Sequence, residues 1–101
     1  MYANTQIIDG RAVISLQGRF DVSAHREFRS SCDHLLTSTE VNELELNLGG
    51  VEFLDSSALG MLLLLKDRAD DAGKGVTLSH CYGIVGEVLG IANFAQLFKL
   101  A

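Results

Sequence analysis

"ELELNLGGVEFLDSSALGMLLLL" runs from Glu43 to Leu65. Its first six residues alternate strictly, Leu44, Leu46 and Leu48 against Glu43, Glu45 and Asn47. That is the period of a strand with one wet face. Gly49-Gly50 should loosen the chain before Val51-Glu52-Phe53-Leu54 resumes it. Beyond Leu54 the period changes, and the spacing predicts a helix from about Ser56 to Ala72, stopped by Gly73. Asp55 stands where an N-cap belongs. Its carboxylate can accept from the N–H of Ser57 or Ala58, at the positive end of the helix dipole.

The leucines give that helix two apolar surfaces. At about 100° per residue, Ala58, Met61, Leu62, Leu65, Ala69 and Ala72 fall on one stripe, wide enough to pack on a sheet. Leu59 and Leu63 lie roughly 100–140° away, one turn apart, with Gly60 beside them. Ser56 projects to this second face. One reading packs Leu59 and Leu63 against a neighbouring helix of the same domain. The other makes them a docking patch whose edge is recharged when Ser56 is phosphorylated. A phosphoryl group adds about −1.5 to −2 charges, tolerated at a helix N-terminus but disruptive at the edge of an apolar contact.

Working outward, "TQIIDGRAVISLQG" (Thr5 to Gly18) reads as a β-hairpin turned by Asp9-Gly10. "DVSAHREFRSSCDHLLTS" (Asp21 to Ser38) carries Ala24, Phe28, Cys32, Leu35 and Leu36 at helical spacing, with Asp21 or Ser23 as its cap. "GVTLSHC" (Gly75 to Cys81) is another strand. "GIVGEVLG" (Gly83 to Gly90) is a short helix with Ile84, Val85, Val88 and Leu89 inward. Phe94, Leu97 and Phe98 close the chain as a short helical or extended piece. The order is ββαβαβα. It predicts an α/β fold with one mixed sheet of four to five strands, helices packed mainly on one face, in a single domain over residues 1–101.

The 101 residues carry a net charge of −5, a sign that repels phosphate backbones and anionic lipid and argues against nucleic-acid binding. The longest apolar stretch, Ala58 to Leu65, is far short of the roughly 20 residues of a membrane span. "MYANTQ" has no basic region or signal-like apolar core, so a cytoplasmic protein without membrane insertion is expected. Cys32 and Cys81 have no CxxC spacing and read as reduced, core-facing thiols.

Enzymatic chemistry finds no footing here. Ser56 is not in a GxSxG elbow, and His25, His34 and His80 are scattered. Asp70-Asp71 reads as a solvated face, and no clustered ligand set predicts a metal or other cofactor. "AGKGV" (Ala72 to Val76) lacks the upstream glycine and the Ser/Thr after Lys74 of a phosphate loop.

"FLDSSALGMLLLL" (Phe53 to Leu65) resembles the signature of STAS domains, in particular bacterial anti-sigma-factor antagonists. "LQGRFDVSAHREF" (Leu16 to Phe28) and "IANFAQLFKL" (Ile91 to Leu100) resemble the segment opening that family's first helix and its closing segment. The resemblance implies a non-enzymatic partner switch with no catalytic residue. Ser56 would be the phosphorylated serine, with Asp55 and Ser57 shaping the site. The implied docking surface combines Ser56, Ser57, Leu59, Gly60 and Leu63 with Asp21 in the Arg19–Ser23 loop. The unphosphorylated form would bind an anti-sigma factor, often itself the serine kinase, or another signalling enzyme. A PP2C-type phosphatase would restore it. Ala58 stands where many members have glycine, and the apolar run after Gly60 is longer than usual. Two other readings remain: a scaffold subunit of a membrane transporter complex, without phosphotransfer, and a small ligand-binding module using the helix N-terminus for an anion.

Overall fold

In the computed structural model, which describes residues 1–101, the alternating segment becomes the central strand of a five-stranded sheet. The strands are β1 (Tyr2–Ile8), β2 (Arg11–Phe20), β3 (Glu43–Leu54), β4 (Gly75–Ser79) and β5 (Lys99–Leu100), side by side in sequence order. β1 and β2 are antiparallel; the remaining neighbours are parallel. Each parallel step is bridged by a helix: α1 (His25–Thr37), α2 (Ser56–Asp71) and α3 (Gly83–Ile91). The hairpin turn is where the sequence puts it. Asp9 (φ 49°) and Gly10 (φ 83°) are both left-handed, as a type I′ turn requires.

The register explains the two faces of the sheet. Ile14, Leu46 and Leu78 lie in one row, Ala12 and Leu44 in the next, and all are buried. They join Phe28, Leu35, Leu62, Leu65, Val85 and Leu89 of the three helices in one core cluster. The opposite face carries Asn4, Ser15, Asn47 and Ser79 in register. On it Arg11 bridges Glu43 and Glu45, and the Ser79 hydroxyl donates to Glu45 at 2.8 Å. Burial of about 25 cal/mol per Å² of apolar surface therefore acts from one side only, and the helices gather there.

Several local expectations are corrected. Gly49-Gly50 does not interrupt the strand. β3 runs through it and bulges against β2, so that Ser15 faces Asn47 but Gln17 faces Gly50. A Cβ on Gly50 would sit 2.7 Å from Gln17 Cγ and 2.9 Å from the Leu16 carbonyl oxygen, so glycine permits the close approach. A second shift, between Gly18 and Arg19, follows. Together they space the buried residues Leu48, Val51 and Leu54 three apart instead of two.

The closing piece is a 3₁₀ turn (Phe94–Gln96) followed by β5, a fifth strand. Leu97 is exposed, while Phe94 and Phe98 stack in the core with centroids 5.2 Å apart. Ile84, expected inward, is 54% exposed, because only Val85 and Leu89 of α3 reach the core fully. Ala72 is exposed beyond the end of its helix. Cys32 is buried and free; Cys81 is free but only half-buried.

Gly73 (φ 72°) ends α2 in a Schellman arrangement. The Lys74 N–H donates to the Ala69 carbonyl at 2.8 Å, and the Gly73 N–H to Asp70 at 3.1 Å. Lys74 Nζ donates to the carbonyls of Ser38 and Val41, so the lysine of "AGKGV" ties the α1–β3 loop to the sheet.

Candidate functional site

The parallel strands β2 and β3 finish together. Arg19 faces Phe53, Phe20 faces Leu54, and the Asp55 N–H donates to the Phe20 carbonyl at 3.4 Å. The next residue on each strand is therefore an aspartate, Asp21 beside Asp55. Each leaves the sheet in extended conformation and starts a helical segment. The C-terminal edge of parallel strands is where α/β sheets gather helix N-termini and functional loops.

The Asp55 carboxylate accepts from the Ala58 N–H at 3.0 Å, one of the two partners foreseen. The Asp21 carboxylate accepts from the Ser23 N–H at 3.0 Å and from the Ser23 hydroxyl. It caps not α1 itself but a 3₁₀ turn, Val22–Ala24, that leads into it; Ser23 is a donor here, not the cap. The Ser23 hydroxyl is the main reason the Asp21 carboxyl lies below its ordinary value of 3.8. Partial desolvation works against it, and the Ser23 N–H and Arg19 add to it. Arg19 Nε stands 3.5 Å from Asp21, and its guanidinium lies 4.3 Å from the Phe53 ring centroid.

Ser56 is exposed in the first turn of α2, and Ser57 is half-buried. The cap bond comes from Asp55 and from neither serine. The buried stripe of α2 is Ala58, Met61, Leu62, Leu65 and Ala69. Leu59 packs against the core while staying partly open, and Leu63 is 38% exposed. Gly60 is exposed, and a Cβ built on it would meet no atom within 4 Å. The fold thus has no steric need for glycine at that position. The strand register brings Asp21, Asp55 and Ser56 to one corner, and Leu59, Gly60 and Leu63 follow along α2.

Val22 and Leu64 are exposed apolar residues that the sequence pattern did not single out. Val22, 69% exposed, stands directly after Asp21 inside the anticipated loop. Leu64, 57% exposed, is hidden in the leucine run. Its angular position on the helix, about 120° from the stripe on the side opposite Leu59, was the signal available. His25 and His34 are exposed at opposite ends of α1 and His80 is exposed after β4, and no group of three His, Cys, Asp or Glu residues is arranged to hold a metal ion. No helix is long and apolar enough to cross a membrane.

A family model described as "Mlab, STAS domain" matches residues 3–100. A STAS-domain containing protein of Pseudomonas aeruginosa (strain UCBPP-PA14) is 40% identical over 94 residues, covering 92% of this chain and 91% of that protein. Solved structures share the fold at lower identity. The unphosphorylated anti-sigma factor antagonist SpoIIAA of Bacillus superimposes with a TM-score of 0.76 at 18% identity, over 99% of this chain and 87% of that one. A sulfate transporter family protein from Wolinella succinogenes does so with a TM-score of 0.78 at 14% identity, over 94% and 79%.

Proposed function

The chain belongs to the STAS-domain family, and we propose that within it this protein is a non-enzymatic partner switch of the anti-sigma-factor antagonist kind. In this reading the unphosphorylated protein binds an anti-sigma factor or an equivalent serine kinase. Phosphorylation of Ser56 releases that partner, and a PP2C-type phosphatase resets the switch in the cytoplasm. The observation that supports it is an exposed Ser56 in a first turn already capped by Asp55, with Leu63 open on the same helix. A hydroxyl outside the cap bond can gain a phosphoryl group without unmaking the helix start. The added dianion at the rim of an apolar contact opposes docking, at a cost of about 2–5 kcal/mol.

Incubation of the purified protein with its cognate kinase and ATP should label Ser56, and Ser56→Ala should abolish the label. Incorporation that persists in Ser56→Ala refutes the assignment. Ser56→Asp should lower partner affinity at least about thirtyfold. A fold likeness to a sulfate transporter family protein keeps a second reading in view, a transporter scaffold whose corner binds without phosphotransfer. That reading predicts full activity for Ser56→Ala and co-purification with an ATPase.

A further inference from the structure

A groove between α1 and α2, lined by none of the residues of the Ser56 corner, combines an apolar floor with basic side chains. Phe28, Cys32, Met61 and Leu65 are its floor, with Leu64 on one wall. Arg29, Arg68 and His25 stand around it, and no carboxylate is among its lining residues. The cavity measures about 140 Å³. An apolar cavity of about 150 Å³ is enough to hold benzene.

The charge around it is unbalanced. Arg68 Nη2 lies 2.6 Å from Asp33 Oδ1, and Arg29 Nε lies 3.7 Å from Asp33 Oδ2. Two guanidiniums thus share one carboxylate, and five N–H donors on each leave forks free. This happens on a chain whose net charge is −5. The floor is closed to solvent at Cys32, which is 1% exposed, and burial is the main reason its thiol is pushed up to about 12.

From these features we propose that the α1–α2 groove is a binding site for a small free carboxylate bearing one aromatic ring. The ring enters the apolar cavity, and the carboxylate takes the unused guanidinium donors of Arg68 and Arg29. A guanidinium prefers a carboxylate because its planar fork matches the two oxygens. The size of the cavity sets the limit at one ring. The site does not rest on the reading of Ser56, and neither result decides the other.

The test is a ¹H–¹⁵N NMR titration of the full chain with benzoate up to about 20 mM, beside benzyl alcohol as its uncharged counterpart. Benzoate should shift amides in residues 25–32 and 61–68 and bind about tenfold tighter than the alcohol. Arg68→Gln should remove most of that preference while the alcohol still binds. Arg29→Gln, which leaves the Arg68–Asp33 pair intact, should reduce it too and covers any disturbance of folding by the first variant. Equal affinity for the two probes, shifts confined to other regions, or no shift by the end of the titration would overturn the proposal.

Discussion

Asp21 and Asp55 are the first residues beyond a matched pair of strand ends, and each carboxylate accepts a backbone N–H at 3.0 Å. Two chain reversals are thereby fixed side by side. The strand register sets where the two helical segments start, and the Arg68–Asp33 ion pair joins α2 to α1 further along. Ser56 sits one residue past the second of these anchors.

Asp55→Ala should lower stability by about 1 kcal/mol through loss of the cap, and Asp55→Asn should restore most of it. Urea unfolding at neutral pH measures both. An Asp55→Ala variant as stable as the parent would mean that the Ala58 bond contributes nothing net.

Asp21 makes a pH prediction. Its folded pKa is below 3.8, so its contribution is complete above the unfolded value and fades as pH falls through the lower, folded one. Asp21→Asn should flatten the acid limb of the stability profile below about pH 4. Profiles that coincide for the two proteins would contradict the hydrogen bonding described for Ser23.

Gly60→Ala should stabilise the protein by about 0.5–1 kcal/mol, since the site is helical and its Cβ meets nothing. If the Ser56 corner docks a partner along α2, the same change should weaken that association. Gly86→Ala should do the opposite to stability, because its Cβ would stand 2.6 Å from the Cys81 carbonyl oxygen. Its expected cost is about 1–3 kcal/mol. Thermal unfolding of the two variants should move in opposite directions.

Leu62→Ala, at a fully buried position, should cost about 2–5 kcal/mol. Leu63→Lys, one residue on, should change stability by no more than about 0.5 kcal/mol. Ser56→Asp belongs with the second class. If it destabilises the fold as strongly as it weakens binding, the switch acts through folding and the proposed mechanism fails.

Cys32 should resist a thiol reagent in the native state, for deprotonation of its thiol requires a pH near 12. Cys81, half-buried and with its thiol raised by burial alone, should label first. One equivalent of labelling at Cys81, with the second released only on unfolding, is the outcome to look for by mass spectrometry.

The sequence displayed most of this architecture because the period changes sharply at Asp55. Alternation before it and helical spacing after it leave little choice, and Asp9-Gly10 marks its turn equally clearly. What it hid has physical causes. Every residue from Met61 to Leu65 is apolar, so hydropathy carries no phase there, and the outward turn of Leu64 goes unseen. α3 is apolar apart from Glu87, whose place three residues beyond Ile84 on the same face was the single sign that Ile84 is exposed. β5 has two residues, too few to show a period, and exists because β4 offers it an open edge. The bulge at Gly49-Gly50 was not legible, because two glycines show that the chain is loosened there but not how the strand continues through them.

The two bulges also bear on which insertions and deletions the chain can survive. Losing one residue at the first bulge would set Leu48 and Val51 two apart, keep both on the inner face, and leave the pairing of Gln17 with Gly50 and of Gly18 with Val51 in place. Losing two there would make Leu48 and Val51 adjacent, with side chains on opposite faces, and would carry the start of α2 to the wrong side of the sheet. A single-residue deletion of Gly49, which only irons out the bulge, should therefore be less damaging than removal of the Gly49-Gly50 pair.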